Sequence, residues 1–531
     1  MNHQNRFRLH FLLAVLLACV VGRSQTKPPA DDKPASISGI VRNSLTGEPL
    51  AHAHITLDSY TQQKRSKYGA ISTVDGRFSI TTIVPGTYQV FAERRGFGTL
   101  TSHGDIVKQL ELKPGEQVKD YVLRLVPDAV ISGRVLDTSG SPMENIDVEA
   151  VGGGQPYRAQ TDDRGEFRIG GLQEGRYLVK AVPSPLPLVP EVRSDGTSEI
   201  NYAPTYYPNS SSPNSAAPVQ VRPGQETSGI EIKPVTSPVL SVTGTVSGPS
   251  KDDRAFAVEL VGGPAPHSFP VNPDRTFTIS RVPPGNYLVF AQGVDSKLGR
   301  EMLSAPVEIN LVNSDIKNID LVLSLPFEVR GQLQIEDGAP WKEKDWDQKS
   351  LSIDLSLLGP SPRSTPDAEI DFDDGSFKVT GVYPGRYRVG MDNLPKNFYV
   401  RSIRLEGTDF PDGILDLRSN PGQGLLTVEL SKDGAEISGV VRDAKGPVAN
   451  MRVALVFDGP YPDLAGSTTS GADGSYTLHG VAPGKYRLLA RTIGSTGESW
   501  SAETLALYSS VTEKIDVSAG DRISLDLKLL P

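Results

Sequence analysis

Apolar and polar residues alternate along most of this chain, in short runs broken by polar turns. In "VPPGNYLVFA" the residues Tyr287, Val289 and Ala291 fall on one side of an extended strand, as do Tyr88, Val90 and Ala92, and Tyr486, Leu488 and Ala490. The strand before each follows the same period of two, with Phe78 and Ile80 or Phe277 and Ile279 on one face. A period of two predicts β-strands with one buried face, and no stretch beyond the N-terminus shows the 3.6-residue period of a helix.

The pattern repeats. Aligned on Tyr88, Tyr177, Tyr287, Tyr387 and Tyr486, the chain shows a second aromatic ten residues upstream each time: Phe78, Phe167, Phe277, Phe377 and Tyr476. A turn precedes that aromatic ("VDGRF", "DRGEF", "PDRTF", "DDGSF", "ADGSY"), and each unit opens on a glycine between β-formers: Gly39, Gly133, Gly244, Gly331 and Gly439. The Pro-Gly step before the tyrosine predicts a hairpin, with glycine at positive φ and the tyrosine filling the corner. These ten aromatics are the expected structural core of the repeats. Each unit closes on two more alternating strands, as in "VEINLVNSDIKNIDLVLSLP". Seven or so short strands per unit predict an all-β chain, a tandem array of about five Greek-key β-sandwiches of transthyretin-like or Ig-like type after a signal peptide.

These residues resemble a known family. The G-x-V, D-G-x-F and P-G-x-Y succession, with "GEPLAHAHITL" and "GPVANMRVAL" after the first strand, is similar to the carboxypeptidase regulatory-like domain, and "TDDRGEFRIGGL" and "YAPTYYPN" resemble multi-repeat exported proteins of soil bacteria. The resemblance implies a transthyretin-like sandwich grouped with carbohydrate-binding-like folds, which accompanies peptidases without performing their chemistry.

The expected boundaries are a signal peptide at 1–24, a polar leader at 25–34, and repeats at 35–127, 128–236, 237–326, 327–432 and 433–531. Repeat two holds a Pro- and Ser-rich insertion at 183–218, and repeat four an insertion at 336–350. The first residues pair a basic start (Arg6, Arg8) with an apolar run from Phe11 to Val21, the pattern of a secretory signal and short for a membrane span. The sole cysteine, Cys19, lies in "LLAC", which loosely resembles a lipobox; cleavage near Ser24 is the expected processing, with lipid attachment the alternative. The mature chain is then free of thiols and disulfides and has no transmembrane segment. The array is expected to end with the chain at Pro531, as an end-to-end rod of sandwiches each about 4 nm long.

Composition narrows the function. Gly 52 and Pro 42 make about 18% of the 531 residues, suiting turn-rich β structure. The formal charge is −9, becoming −12 once Arg6, Arg8 and Arg23 leave, and no basic run provides the footprint of nucleic-acid binding. Among the seven histidines, none begins His-x-x-Glu or His-Glu-x-x-His, and neither a Gly-x-Ser-x-Gly elbow nor a phosphate loop occurs. No enzyme activity, catalytic residue, cofactor or metal is expected. His52 and His54 fall short of a ligand set, and Asp371, Asp373 and Asp374 are expected as turn formers, with calcium the alternative.

Aromatics outside the repeat code are the remaining candidates: Trp341 and Trp346 in "APWKEKDWDQK", Tyr202, Tyr206 and Tyr207 in "INYAPTYYPN", and Tyr461 and Trp500 in repeat five. A flat ring can stack on a sugar's C–H face while polar neighbours bond its hydroxyls; the structural alternative is that these rings pin long loops to their own sandwiches. The expectation is an exported, non-enzymatic binding protein of the bacterial envelope. Its ligand would be polysaccharide, with Trp341, Trp346, Tyr202, Tyr206 and Tyr207 as ligand-binding residues. The alternative is a scaffold that spaces or grips another envelope protein. Its location would be the periplasm, the outer surface or the medium.

Overall fold

A computed structural model describes residues 33–61, 64–99, 109–152, 155–183, 201–238, 240–248, 250, 254–262, 267–336, 351–358, 366–411, 413–418, 424–459, 462–491, 502–509 and 512–529. The expected signal peptide with Cys19, most of the expected leader, residues 184–200 and 337–350 of the two insertions, and Trp341, Trp346, Tyr461 and Trp500 lie outside them. The chain is a tandem array of β-sandwiches. Its described residues divide into two compact units, one drawn from 33–41, 49–91 and 109–123, the other from the remainder.

The first unit packs the sheet Lys64–Ile71, His54–Thr61, Gly86–Glu93 and Gln109–Leu112 over a sheet containing Arg77–Ile83, Ala35–Asn43 and Gln117–Pro127. Its inner residues are the alternating set: Ile37, Val41, Ile55, Leu57, Phe78, Ile80, Tyr88 and Val90 are all buried.

The second unit holds four further sandwiches, each around its own apolar core. In each, the opening strand pairs antiparallel with the strand carrying the upstream aromatic and parallel with the closing strand. Ala129–Val135 lies between Glu226–Ile232 and Glu166–Leu172, and Leu240–Ser247 between Ile316–Ser324 and Thr276–Val282. Phe327–Ile335 and Ala435–Asp443 occupy the same place in their sheets.

The register explains the repeat code. Each opening glycine lies opposite the upstream aromatic: Gly39 opposite Phe78, Gly133 opposite Phe167, Gly244 opposite Phe277, Gly331 opposite Phe377 and Gly439 opposite Tyr476. A Cβ on Gly133 would meet the Ile230 carbonyl oxygen at 1.8 Å, one on Gly244 the Ile319 oxygen at 2.0 Å, and one on Gly439 the Leu525 oxygen at 1.8 Å. Glycine therefore sits where the closing strand's backbone crosses, and the aromatic covers the gap a side chain would have filled.

The Pro-Gly step is not a hairpin. Arg77–Ile83 pairs with Ala35–Asn43 in one sheet, while Gly86–Glu93 pairs with Gln109–Leu112 in the other, so the chain crosses between layers at Val84-Pro85. Gly285, Gly385 and Gly484 lie outside the left-handed region, and Gly86 (φ 158°) and Gly175 (φ 156°) are close to extended, so a left-handed φ is not what the step requires. In repeats three, four and five the corner is short of space: a Cβ on Gly285 would lie 3.1 Å from the Tyr287 ring, one on Gly385 2.5 Å from Leu357, and one on Gly484 3.2 Å from the Tyr486 hydroxyl. The tyrosine ring folds back across the corner, and its hydroxyl donates to the carbonyl four residues earlier in every repeat. The acceptors are Val84 (2.6 Å), Gln173 (3.0 Å), Pro283 (2.8 Å), Tyr383 (2.8 Å) and Ala482 (2.9 Å).

The second unit also corrects the end-to-end rod. Sandwich three meets sandwich four through Arg386 and Glu308, 3.2 Å apart. Sandwich four meets sandwich five through Arg388, whose guanidinium lies 3.9 Å from the Phe457 ring centroid. Sandwich five then returns to pack against sandwich two. A linear string would not bring these two together.

Candidate functional site at the seam between two sandwiches

Strands with one solvent face bury every second residue. In sandwich two, Gly175–Val182 buries six consecutive residues from Tyr177, and Asp147–Val151 the last four of its five. Sandwich five does the same in Arg452–Phe457, where Val453 to Val456 are all buried. Val148, Ala150, Tyr177 and Val179 point into the core of sandwich two; Glu149, Leu178 and Lys180 therefore occupy its outer face. Leu178 joins Ala454, Val456 and Leu489 from the outer face of sandwich five in a separate apolar cluster.

Two departures from the repeat complete that cluster. In repeat two, the short strand Thr205–Tyr206 adds to Gly175–Val182 with Tyr206 opposite Lys180. In repeat five, the helix Ala502–Tyr508 contributes Leu505, Leu507 and Tyr508, buried to 7%, 1% and 6% exposure. It packs against the 3-10 turn Pro213–Ser215 of the repeat-two insertion.

The centre of this seam is ionic. Lys180 Nζ lies 3.1 Å from Glu149 Oε2 and 2.8 Å from Glu503 Oε1, and the Lys180 and Glu149 side chains are only 8% and 5% exposed. Arg158 Nε approaches Glu149 Oε1 at 2.8 Å. The Tyr206 hydroxyl donates to Glu503 Oε1, and Lys180 Nζ lies 5.8 Å from the Tyr206 ring centroid. Burial first, and then the Glu503 charge, drive the Tyr206 phenol far above its ordinary range. Tyr508 donates to the Gly152 carbonyl at 3.4 Å, its phenol raised by burial against the opposing Arg491 charge. A buried ion pair adds little net stability, but leaving Lys180 buried without its carboxylates would be costly. The arrangement therefore fixes which surfaces meet, and how.

The sequence candidates fall into different places. Tyr206 is 7% exposed and committed to the seam. Tyr207 is half-buried against the core of sandwich two, and Tyr202 half-buried on Asn201–Tyr202, which pairs with Thr236–Ser237. The three tyrosines do not form one exposed platform. Glu149, Lys180 and Glu503 were not sequence candidates, although the uninterrupted apolar run "VALVF" signals a strand buried on both faces. His52 lies in a turn with φ 59° while His54 begins a strand, so the pair does not share a strand face. Asp371 accepts from the Asp373 amide at 2.8 Å and Asp374 from the Ser376 amide at 2.8 Å, as turn formers do. No group of three or more potential metal ligands occurs among the described residues, and no described helix is long and apolar enough to cross a membrane.

Repeated transthyretin-like cores, joined by built interfaces, define a tandem β-sandwich protein. Residues 36–123, 130–203 and 436–529 match the carboxypeptidase regulatory-like domain, at three of the repeats. No protein among curated sequences matches it. Solved structures similar to parts of it include a streptococcal ancillary pilin (11% identity, TM-score 0.19, 55% of this chain and 99% of that one). The minor pilin of Streptococcus agalactiae shows 15% identity and a TM-score of 0.23 over 39% of this chain and 98% of its own. The Bacillus anthracis TIE protein shows 11% identity and a TM-score of 0.16 over 89% and 74%.

Proposed function

We propose that this is an exported, non-catalytic scaffold of the bacterial envelope, which holds its sandwiches in a fixed arrangement to space or display other components. One observation carries the reading: segments outside the repeat code, Tyr206 in repeat two and Ala502–Tyr508 in repeat five, meet each other around Lys180. Departures that converge on one seam support a role in which domain arrangement matters. Cell fractionation with an epitope-tagged chain tests export. The chain should follow the envelope or the medium, with its N-terminus beginning near Gln25; retention in the cytoplasm would sink the reading.

Polysaccharide binding is the second reading, favoured by a polar groove of about 510 Å³ on sandwich two lined by Arg134, Asp162, Glu166, Arg168 and Glu226. In this reading the aromatic contacts are separate from that groove: Trp341 and Trp346 of the repeat-four insertion would stack on the sugar, with the half-buried Tyr202 and Tyr207 as further contacts, and Tyr206 would act through the seam rather than by stacking. A pull-down of residues 25–531 against soluble and insoluble polysaccharides, beside a folded Trp341→Ala, Trp346→Ala variant, separates the two readings. Saturable binding that the variant loses favours the glycan, and absence of binding leaves the scaffold.

A further inference from the structure

We propose that the seam between sandwiches two and five is a clasp that opens under tension and releases stored length before any sandwich unfolds. The proposal extends the scaffold reading, to which it adds a mechanical property.

The load path comes from the topology. Lys180 and Glu503 are 323 residues apart in sequence and touch in space, while the covalent route between them runs through sandwiches three and four. Tension applied at sandwiches two and five therefore crosses the seam as well as that longer route. While the seam holds, it short-circuits two whole sandwiches.

The seam is also built to part cleanly. The sandwiches on either side have complete cores of their own, with Val148, Tyr177 and Val179 in one and Val453, Tyr486 and Leu488 in the other. Separation thus exposes outer faces and leaves both interiors closed. The docked helix has seven residues, too few to persist in water without the surface it covers. It adds to the seam only while docked. At the centre, Lys180 is held by Glu149 of its own sandwich and Glu503 of the other. Parting breaks the bonds to Glu503 and keeps the bond to Glu149, so Lys180 does not lose every counter-charge. Reclosure restores one register, because only there do Glu503, Lys180 and the Tyr206 hydroxyl coincide.

Single-molecule force spectroscopy tests this on residues 25–531. The chain has one cysteine, Cys19, so Ser139→Cys and Lys445→Cys, both in exposed turns of sandwiches two and five, attach handles uniquely. Opening the clasp can release at most about two sandwich lengths, or ~8 nm. Unfolding one sandwich of about 90 residues releases ~30 nm. The expected record shows a short first step, reversible on relaxation, ahead of the long ones. Lys180→Glu should abolish the short step and keep the long ones, and adding Glu503→Lys to that variant should restore it. A first event of ~30 nm in the parent, or a short step unchanged by Lys180→Glu, overturns the proposal. If Lys180→Glu also removes a long step, that sandwich has not folded, and Glu503→Gln replaces it: the short step must then occur at lower force. The force record does not depend on cellular location, so the clasp and the envelope reading can fail separately.

Discussion

Arg275 occupies a position where the other four sandwiches place glycine. Its φ is 68°, beside 74° at Gly76, 67° at Gly165, 78° at Gly375 and 77° at Gly474. A side chain in this left-handed region costs about 1 kcal/mol, so Arg275→Gly should stabilise sandwich three by up to about 1 kcal/mol, less the entropy glycine gains on unfolding. Hydrogen exchange of the Gly285–Val294 amides reads this directly; faster exchange would show that the bond from Arg275 to the Ser250 carbonyl (3.4 Å) matters more. Gly439→Ala should act in the opposite direction, by about 3 kcal/mol, since its Cβ would enter the Leu525 carbonyl and the sheet must spread. The corner tyrosines give a pH prediction. Burial pushes the phenols of Tyr287, Tyr387 and Tyr486 up to about 12 from an ordinary value near 10. A raised folded value favours the protonated form, so this stability is fully present below pH 10 and is lost as pH rises through about 12. Ultraviolet titration should show these phenols ionising together with the loss of β-sheet circular dichroism. Ionisation near pH 10 with the sheet intact would contradict the burial argument.

At the scale of elements, the strands were legible because burial on one face leaves a period of two, as at Phe78 and Ile80. The Pro-Gly corner was only half legible. Proline and glycine announce a change of direction, but whether the next strand joins the same sheet is decided by which partners its edge finds, here Gln109–Leu112. The helix Ala502–Tyr508 was invisible: seven residues carry too little periodicity, and its stability comes from the surface beneath it. Glu503→Gln should therefore loosen this helix selectively. Its amides are expected to exchange about tenfold faster, or about 1.4 kcal/mol, while Gly484–Arg491 stays protected. Equal acceleration in both would place the bond inside the general stability of sandwich five.

Across the second unit, contacts join sandwich three to four, four to five and five to two. The ion pairs differ in what should disturb them. Arg134–Glu166 on sandwich two is well exposed, and salt screens such pairs strongly, with a Debye length of ~3 Å at 1 M. Lys180 and Glu149 are shielded from solvent. Raising salt to about 1 M should leave exchange at Ala502–Tyr508 nearly unchanged, whereas Lys180→Glu accelerates it. A large salt effect would show that the seam admits water and ions.

The sequence by itself determined the sandwich and its repetition. Those depend on local alternation, on glycine where backbones cross and on an aromatic opposite, all of which recur at fixed spacing within a short stretch of chain. The seam was decided only in the tertiary structure. Glu149, Lys180, Tyr206 and Glu503 are ordinary surface residue types in sequence. They become an ionic centre, with Glu149, Lys180 and Tyr206 buried and Glu503 half-buried, only because two outer faces, each apolar in patches, are brought together by the sandwiches between them. A strand's sequence records that a face is covered, as the run Val453 to Val456 does, but not which distant surface covers it, since apolar burial is non-directional.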